Sequence, residues 1–143
     1  MQQQRARVLL PAGIAARPGI MFSEQVLEHF ERPRNAGELP GATAVVEVSN
    51  PVCGDVLRLA VIVEAGVVRE ARFLCRGCTA SIACASVLTE KMKGRRRTEL
   101  NEVHAAVIAA ELGGLPPASF HAAQLAEDGI RAILARIQEA PDS

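Results

Sequence analysis

Tryptophan and tyrosine are absent from this 143-residue chain, and four phenylalanines are its whole aromatic content. A core must therefore be built from Val, Ile, Leu and Ala. The shortage also removes the aromatic platforms on which single-strand nucleic-acid binders stack bases. Net charge is missing as well: sixteen basic residues balance sixteen acidic ones, so no global field draws the chain toward DNA or an anionic membrane. No apolar run approaches a transmembrane span. Neither nucleic acid nor membrane is expected among its partners.

What remains is ordinary globular material, 49% apolar and long enough for one domain with a single hydrophobic core. Four cysteines, Cys53, Cys75, Cys78 and Cys84, occur without a secretory signal and suit a reducing compartment such as the cytoplasm. There, clustered cysteines point to metal or sulfur chemistry before disulfides. Residues 1–20 are basic, and their apolar run Val8-Leu9-Leu10 is too short for a signal peptide. They are expected to be a flexible N-terminal extension, with the folded domain over residues 21–139 and a tail over 140–143.

The periodic pattern begins at Met21. Ser23 is a plausible N-cap for a helix carrying Val26, Leu27 and Phe30 on one face, and Pro33 ends it. Residues 34–41 read as loop. Residues 43–49, 56–64 and 67–74 alternate or run apolar like strands, with Ala65-Gly66 as a hairpin turn. After Cys78 the period changes: Ile82, Ala85, Ser86 and Thr89 share a helical face, with Gly94 as the stop. Residues 98–112 read as further helix, closed by Gly113-Gly114. Ser119 is expected to cap a last helix bearing Ala126, Ile130, Ile133, Leu134 and Ile137. The order predicts an α+β domain, a three-stranded antiparallel sheet packed by helices on one face.

Two cysteines sit at glycine-marked corners: Cys53 in Asn50-Pro51-Val52-Cys53-Gly54-Asp55, and Cys78 after Gly77. On an extended chain residues two apart face one side, so Cys53 and Asp55 are expected to aim at one ion. Thiolates take soft or borderline ions such as iron and zinc, and a carboxylate adds an exchangeable ligand. Cys78 precedes a helix, whose N-terminus favours negative charge. His121 falls in the first turn of the last helix. Against this stand plainer readings: Cys53 as a small buried hydrophobe, Asp55 as a turn residue, His121 as a surface histidine. Cys75 shares C-x-x-C spacing with Cys78 but is expected to pack on the core from a strand, and Cys84 to face the core. His29 and His104 read as structural, and Arg95-Arg96-Arg97 as a solvated helix end.

These corners are where the chain resembles the IscU/NifU-N-terminal type of iron–sulfur cluster assembly scaffold. Residues 21–37 are similar to that family's opening helix and Pro-Arg-Asn loop, residues 50–55 to its first cysteine motif, Gly77-Cys78 with residues 80–90 to its second, and residues 125–135 to its C-terminal helix. The related SufU branch carries a longer segment before its third cysteine, which this chain lacks. The resemblance implies a three-stranded sheet packed by helices that holds a transient [2Fe-2S] cluster, iron or zinc. It implies sulfur from a cysteine desulfurase and delivery to apo iron–sulfur proteins or carriers. Carried over by position, Cys53, Asp55, Cys78 and His121 are its cluster or metal ligands.

The chain departs from the pattern at Ala122, where the family places its third cysteine, a main receiver of sulfur, directly after the histidine. Leu115-Pro116-Pro117-Ala118-Ser119 resembles the Leu-Pro-Pro-Val-Lys segment read by a dedicated Hsp70-type chaperone, with the last two residues changed. Three functions follow from these residues: a non-enzymatic scaffold or carrier for a labile [2Fe-2S] cluster or iron, a zinc-binding sulfur relay, and a degenerate regulator that docks the desulfurase.

Overall fold

The computed structural model describes residues 22–51 and 54–138. The expected flexible extension over 1–20 and the tail over 140–143 lie outside the described residues. Helix α1 (Glu24–Glu31) opens at Ser23, whose hydroxyl accepts from Val26 N at 3.0 Å and donates to Leu112 O at 2.5 Å. Strands β1 (Ala44–Ser49), β2 (Val56–Glu64) and β3 (Val67–Arg76) form an antiparallel meander in the order β1-β2-β3. Helix α2 (Thr79–Met92) follows, then a 3-10 segment (Arg97–Glu102), α3 (Ala105–Glu111), a 3-10 turn (Pro117–Ser119) and α4 (Phe120–Gln138). The α+β arrangement matches the sequence expectation.

One face of the sheet supplies Ala44, Val46, Leu57, Leu59, Val61, Val68, Ala71 and Phe73 to the core. Helix α4 covers β1 and β2, while α2 covers β3. Both helices thus cover one face of the sheet. Gly129 allows the closest approach of α4, since a Cβ there would lie 3.0 Å from Leu57 Cδ2.

Several boundaries differ from expectation. Strand β3 runs two residues further, to Arg76, and Cys75, opposite Leu57, is the strand residue it was expected to be. Helix α2 is buried on nearly every side rather than on the single face of Ile82, Ala85, Ser86 and Thr89. Its small residues, Ala80, Ser81, Ala83, Cys84, Ala85 and Ser86, leave room for neighbours all round, so no amphipathic stripe is needed. The span 98–112 is broken at Val103-His104, because the Glu127 carboxylate caps a fresh helix start by accepting from Ala105 N at 2.7 Å. Ser119 is not the cap of α4; it closes a 3-10 turn that runs straight into that helix. Arg95, Arg96 and Arg97 lie beyond α2 and strap the β2–β3 hairpin, with Arg95 O accepting from Val68 N at 2.9 Å and Arg97 N donating to Gly66 O at 2.9 Å.

His29 and His104, expected to be structural, each meet a side-chain partner. His29 Nδ1 lies 2.7 Å from Ser86 Oγ, which also accepts from Arg34 N at 2.8 Å and so ties the loop after α1 to α2. His104 Nδ1 lies 3.3 Å from Glu127.

Candidate metal centre

Three of the four expected site residues meet at the end of the sheet where β2 begins and β3 finishes. Asp55 directly precedes β2, Cys78 is the N-cap of α2, and His121 is the second residue of α4. One ligand atom from each lies within 4.8 Å of the others. The fourth, Cys53, lies outside the described residues. The chain beside it is a turn rather than the extended stretch expected: Gly54 has φ +79°, its N–H donates to Asn50 O at 2.7 Å, and Asn50 N donates to Asp55 O at 2.9 Å.

Asp55 is the hub. Its side chain is 8% exposed, and Oδ2 accepts the Ser81 hydroxyl. Cys78 Sγ lies 3.7 Å from that same oxygen and 3.3 Å from Ser81 Oγ. His121 Nε2 lies 3.8 Å from it. His121 Nδ1 sits 3.1 Å from the Ala118 carbonyl, which can only accept. In the neutral ring Nδ1 therefore carries the proton and Nε2 offers its lone pair toward Asp55, the orientation a metal-binding histidine needs.

Gly77 makes room for this arrangement. It follows the β2–β3 register pair Val56↔Arg76, so it faces Asp55. A Cβ at Gly77 would stand 2.7 Å from Asp55 Cγ and 3.0 Å from each carboxylate oxygen.

The remaining described thiols lie deeper than exposed Cys78. Cys75 is half-buried in β3, and burial, with the charges of Asp55 and Cys78 adding, pushes its thiol up to about 12. Cys84 is fully buried in α2, where burial first and the neighbouring Cys78 and Cys75 second push it up to about 12. Neither belongs to the group of converging donors. Ala122, next to His121, is 1% exposed and belongs to the core.

Sulfur, carboxylate and imidazole donors on three separate elements suit a borderline ion such as Fe2+ or Zn2+. Cys78 is exposed and His121 partly so, and the site opens to solvent on their side. The sequence reading missed two residues here, Gly77 as a space-maker and Ser81 as a hydrogen-bond partner. Ser81 could have been found from its place three residues after Cys78, on the same helical face.

Comparison with known proteins fits this geometry. The family model of the NifU-like N terminal domain matches residues 21–141. The chain belongs to this family. It is 43% identical over 115 residues to the iron-sulfur cluster assembly scaffold protein IscU of Azotobacter vinelandii, covering 78% of this chain and 89% of that one. Identity to IscU of Escherichia coli strain K12 is 40% over 118 residues, covering 80% and 91%. The crystal structure of a NifU-like protein (N-terminal) from Brucella abortus superposes with a TM-score of 0.68 at 20% identity, covering 81% of this chain and 93% of that one, which shows the shared fold.

Proposed function

We propose that this protein is an iron–sulfur cluster assembly scaffold or carrier that takes sulfur from a cysteine desulfurase. It holds iron or a labile [2Fe-2S] cluster as cargo and passes it to apo iron–sulfur proteins or carriers. The observation that carries the reading is the meeting of Asp55, Cys78 and His121 within 4.8 Å, in a chain of the NifU-like family. In this reading Cys53, two residues from Asp55, joins Cys78 as the second thiolate, with Asp55 and His121 completing four donors. Carboxylate and imidazole are weaker cluster ligands than thiolates, and mixed sulfur and nitrogen ligation has precedent in Rieske centres. Weak ligation suits cargo that must leave.

The chain's own residues prepare the site. His121 is oriented by Ala118 O, Asp55 by the Ser81 hydroxyl, and Cys78 stands exposed at a helix N-terminus where negative charge is favoured. Leu115 and Pro116 are partly exposed and Pro117 exposed, so the segment is accessible to an Hsp70-type chaperone. Redox-sensitive cargo and free thiols fit a reducing compartment such as the cytoplasm.

Anaerobic reconstitution with ferrous iron, sulfide and a dithiol tests the reading. The wild type is expected to become coloured, with visible sulfide-to-iron bands, and Cys78→Ser and His121→Ala to lose most of that absorbance. A colourless wild type would sink it. A second reading, a zinc-binding sulfur relay, draws on the Cys-Asp-His donor set, which is equally a zinc set. Incubation with a desulfurase and cysteine, followed by mass spectrometry, is expected to show 32 Da added per sulfur atom, at Cys78 or Cys53. If no cysteine gains mass, sulfur receipt is wrong in both readings.

A further inference from the structure

We propose that Ser81 is a positioning residue of the centre, whose hydroxyl sets how Asp55 and Cys78 present themselves to the cargo. Ser81 is the third residue of α2 and 2% exposed, so it has no solvent to bond. Its partners are the donors themselves: the hydroxyl donates to Asp55 Oδ2, and Cys78 Sγ lies 3.3 Å from the same Oγ. A hydroxyl has one proton to give. Asp55, when ionised, can only accept, so it takes that proton and Ser81 keeps its lone pairs toward the thiol. The result is a three-membered contact in which Cys78 Sγ lies beside both the Ser81 hydroxyl and Asp55 Oδ2.

Two consequences follow. One oxygen of Asp55 is engaged and fixed in direction, so the carboxylate meets an ion in one orientation. Cys78 Sγ is also held by two oxygens, Ser81 Oγ at 3.3 Å and Asp55 Oδ2 at 3.7 Å, which fixes the direction in which the sulfur faces. Residues that orient metal ligands in this manner are typically worth about 10–100-fold in affinity. The cargo half of this inference rests on the scaffold reading, while the contact between Ser81 and Cys78 does not.

Both halves are tested with Ser81→Ala and Ser81→Thr, compared with wild type by Co2+ titration and by alkylation of the metal-free protein. Thr keeps the hydroxyl; Ala removes it without loss of helix propensity. Ser81→Ala is expected to bind Co2+ about tenfold or more weakly, with its thiolate-to-cobalt absorption band shifted. Ser81→Thr is expected to restore the band and most of the affinity. Iodoacetamide at fixed pH, with Cys78 followed by peptide mass spectrometry, should react roughly threefold faster in Ser81→Ala, because Sγ has lost one of the two oxygens that hold its side chain in place. Unaltered cobalt affinity, band and alkylation in Ser81→Ala would overturn the proposal, as would a Thr variant that behaves like Ala. If wild type takes up no Co2+ while Ser81→Ala still changes alkylation, the cargo reading fails and the positioning of Cys78 stands. If neither occurs, both fall.

Discussion

Gly77→Ala is the most economical probe of the centre, because it adds one methyl group and removes no donor. Gly77 is not in the left-handed region, so alanine fits its backbone without strain. That alone would stabilise the protein by about 0.4–1 kcal/mol through the unfolded chain. The methyl, however, would stand 2.7 Å from Asp55 Cγ and 3.0 Å from both oxygens. Ordinary carbon contact is roughly 3.5–4.0 Å, so Asp55 must move by about 1 Å. The carboxylate is buried and held by Ser81, and a shift of that size breaks a charge-assisted hydrogen bond worth about 1.5–3 kcal/mol. The expected net loss is about 1–2 kcal/mol, read as a fall of a few degrees in Tm. Metal affinity, read by Co2+ titration, should fall about 10–100-fold because a ligand has been turned away. In an Asp55→Ala background the same methyl meets no carboxylate, so its cost in Tm should vanish. Gly77→Ala melting and binding cobalt as wild type, or adding its full cost in the Asp55→Ala background, would refute the close packing of Gly77 on Asp55.

Other perturbations test neighbouring parts of the structure. Ser86→Ala removes the acceptor of Arg34 N, and the unpaired donor should lower stability by about 1–3 kcal/mol, measured by urea unfolding. His29 has its basicity lowered, chiefly by burial and then by Arg34, so the unfolded chain binds its proton more readily. Its contribution to stability is therefore complete above about pH 6.5 and is lost as pH falls from there toward the lowered native value, which His29→Gln should flatten in a Tm-against-pH series. Among Cys75, Cys78 and Cys84, iodoacetamide at pH 8 should modify exposed Cys78 first and spare Cys84 until unfolding, since burial pushes the Cys84 thiol up to about 12. Ala122→Cys should lengthen cluster lifetime against a chelator severalfold. It should also lower stability by about 1 kcal/mol for a sulfur added to a packed position. An unchanged lifetime would show that position 122 does not reach the cargo.

Most of the fold could be read from periodicity. Residues 56–64 form a nearly continuous apolar run and became β2 with those bounds, and Ser23 declared itself as a cap by its place before Val26. Two things could not be read. One is the register at the site. Counting outward from the Ala65-Gly66 turn pairs Glu64 with Val67 and would set Asp55 opposite Arg76. The irregularity between Ile62 and Val63 shifts the ladder by one residue, so Val56 pairs with Arg76 and Asp55 faces Gly77. Nothing in the side chains of Ile62 or Val63 announces that shift, yet without it an arginine would occupy the space the carboxylate needs. The other is the burial of α2. A helix of small residues carries no amphipathic stripe, so Ser81 looked like one more small residue and not a partner of Asp55.

The position of Ala122 gives the centre its character. The first turn of α4 turns His121 toward Asp55 and, one residue on, turns Ala122 into the core, because successive helical residues point about 100° apart. A third thiolate at position 122 would therefore start from the packed side of α4 and would need that turn to rotate before it reached the other donors. Here the helix has no such demand on it. Its first turn is anchored by the 3-10 turn over Pro117–Ser119 and by His121 Nδ1 on Ala118 O, and α4 packs on β1 and β2. Holding fewer thiolates on a firmer frame, the site should bind more weakly at equilibrium yet reorganise less on loading and release. That predicts a small difference in hydrogen exchange over residues 118–125 between metal-free and loaded protein, and a larger one in Ala122→Cys. A large change in the wild type would show that the start of α4 moves, and that the alanine does not fix it in place.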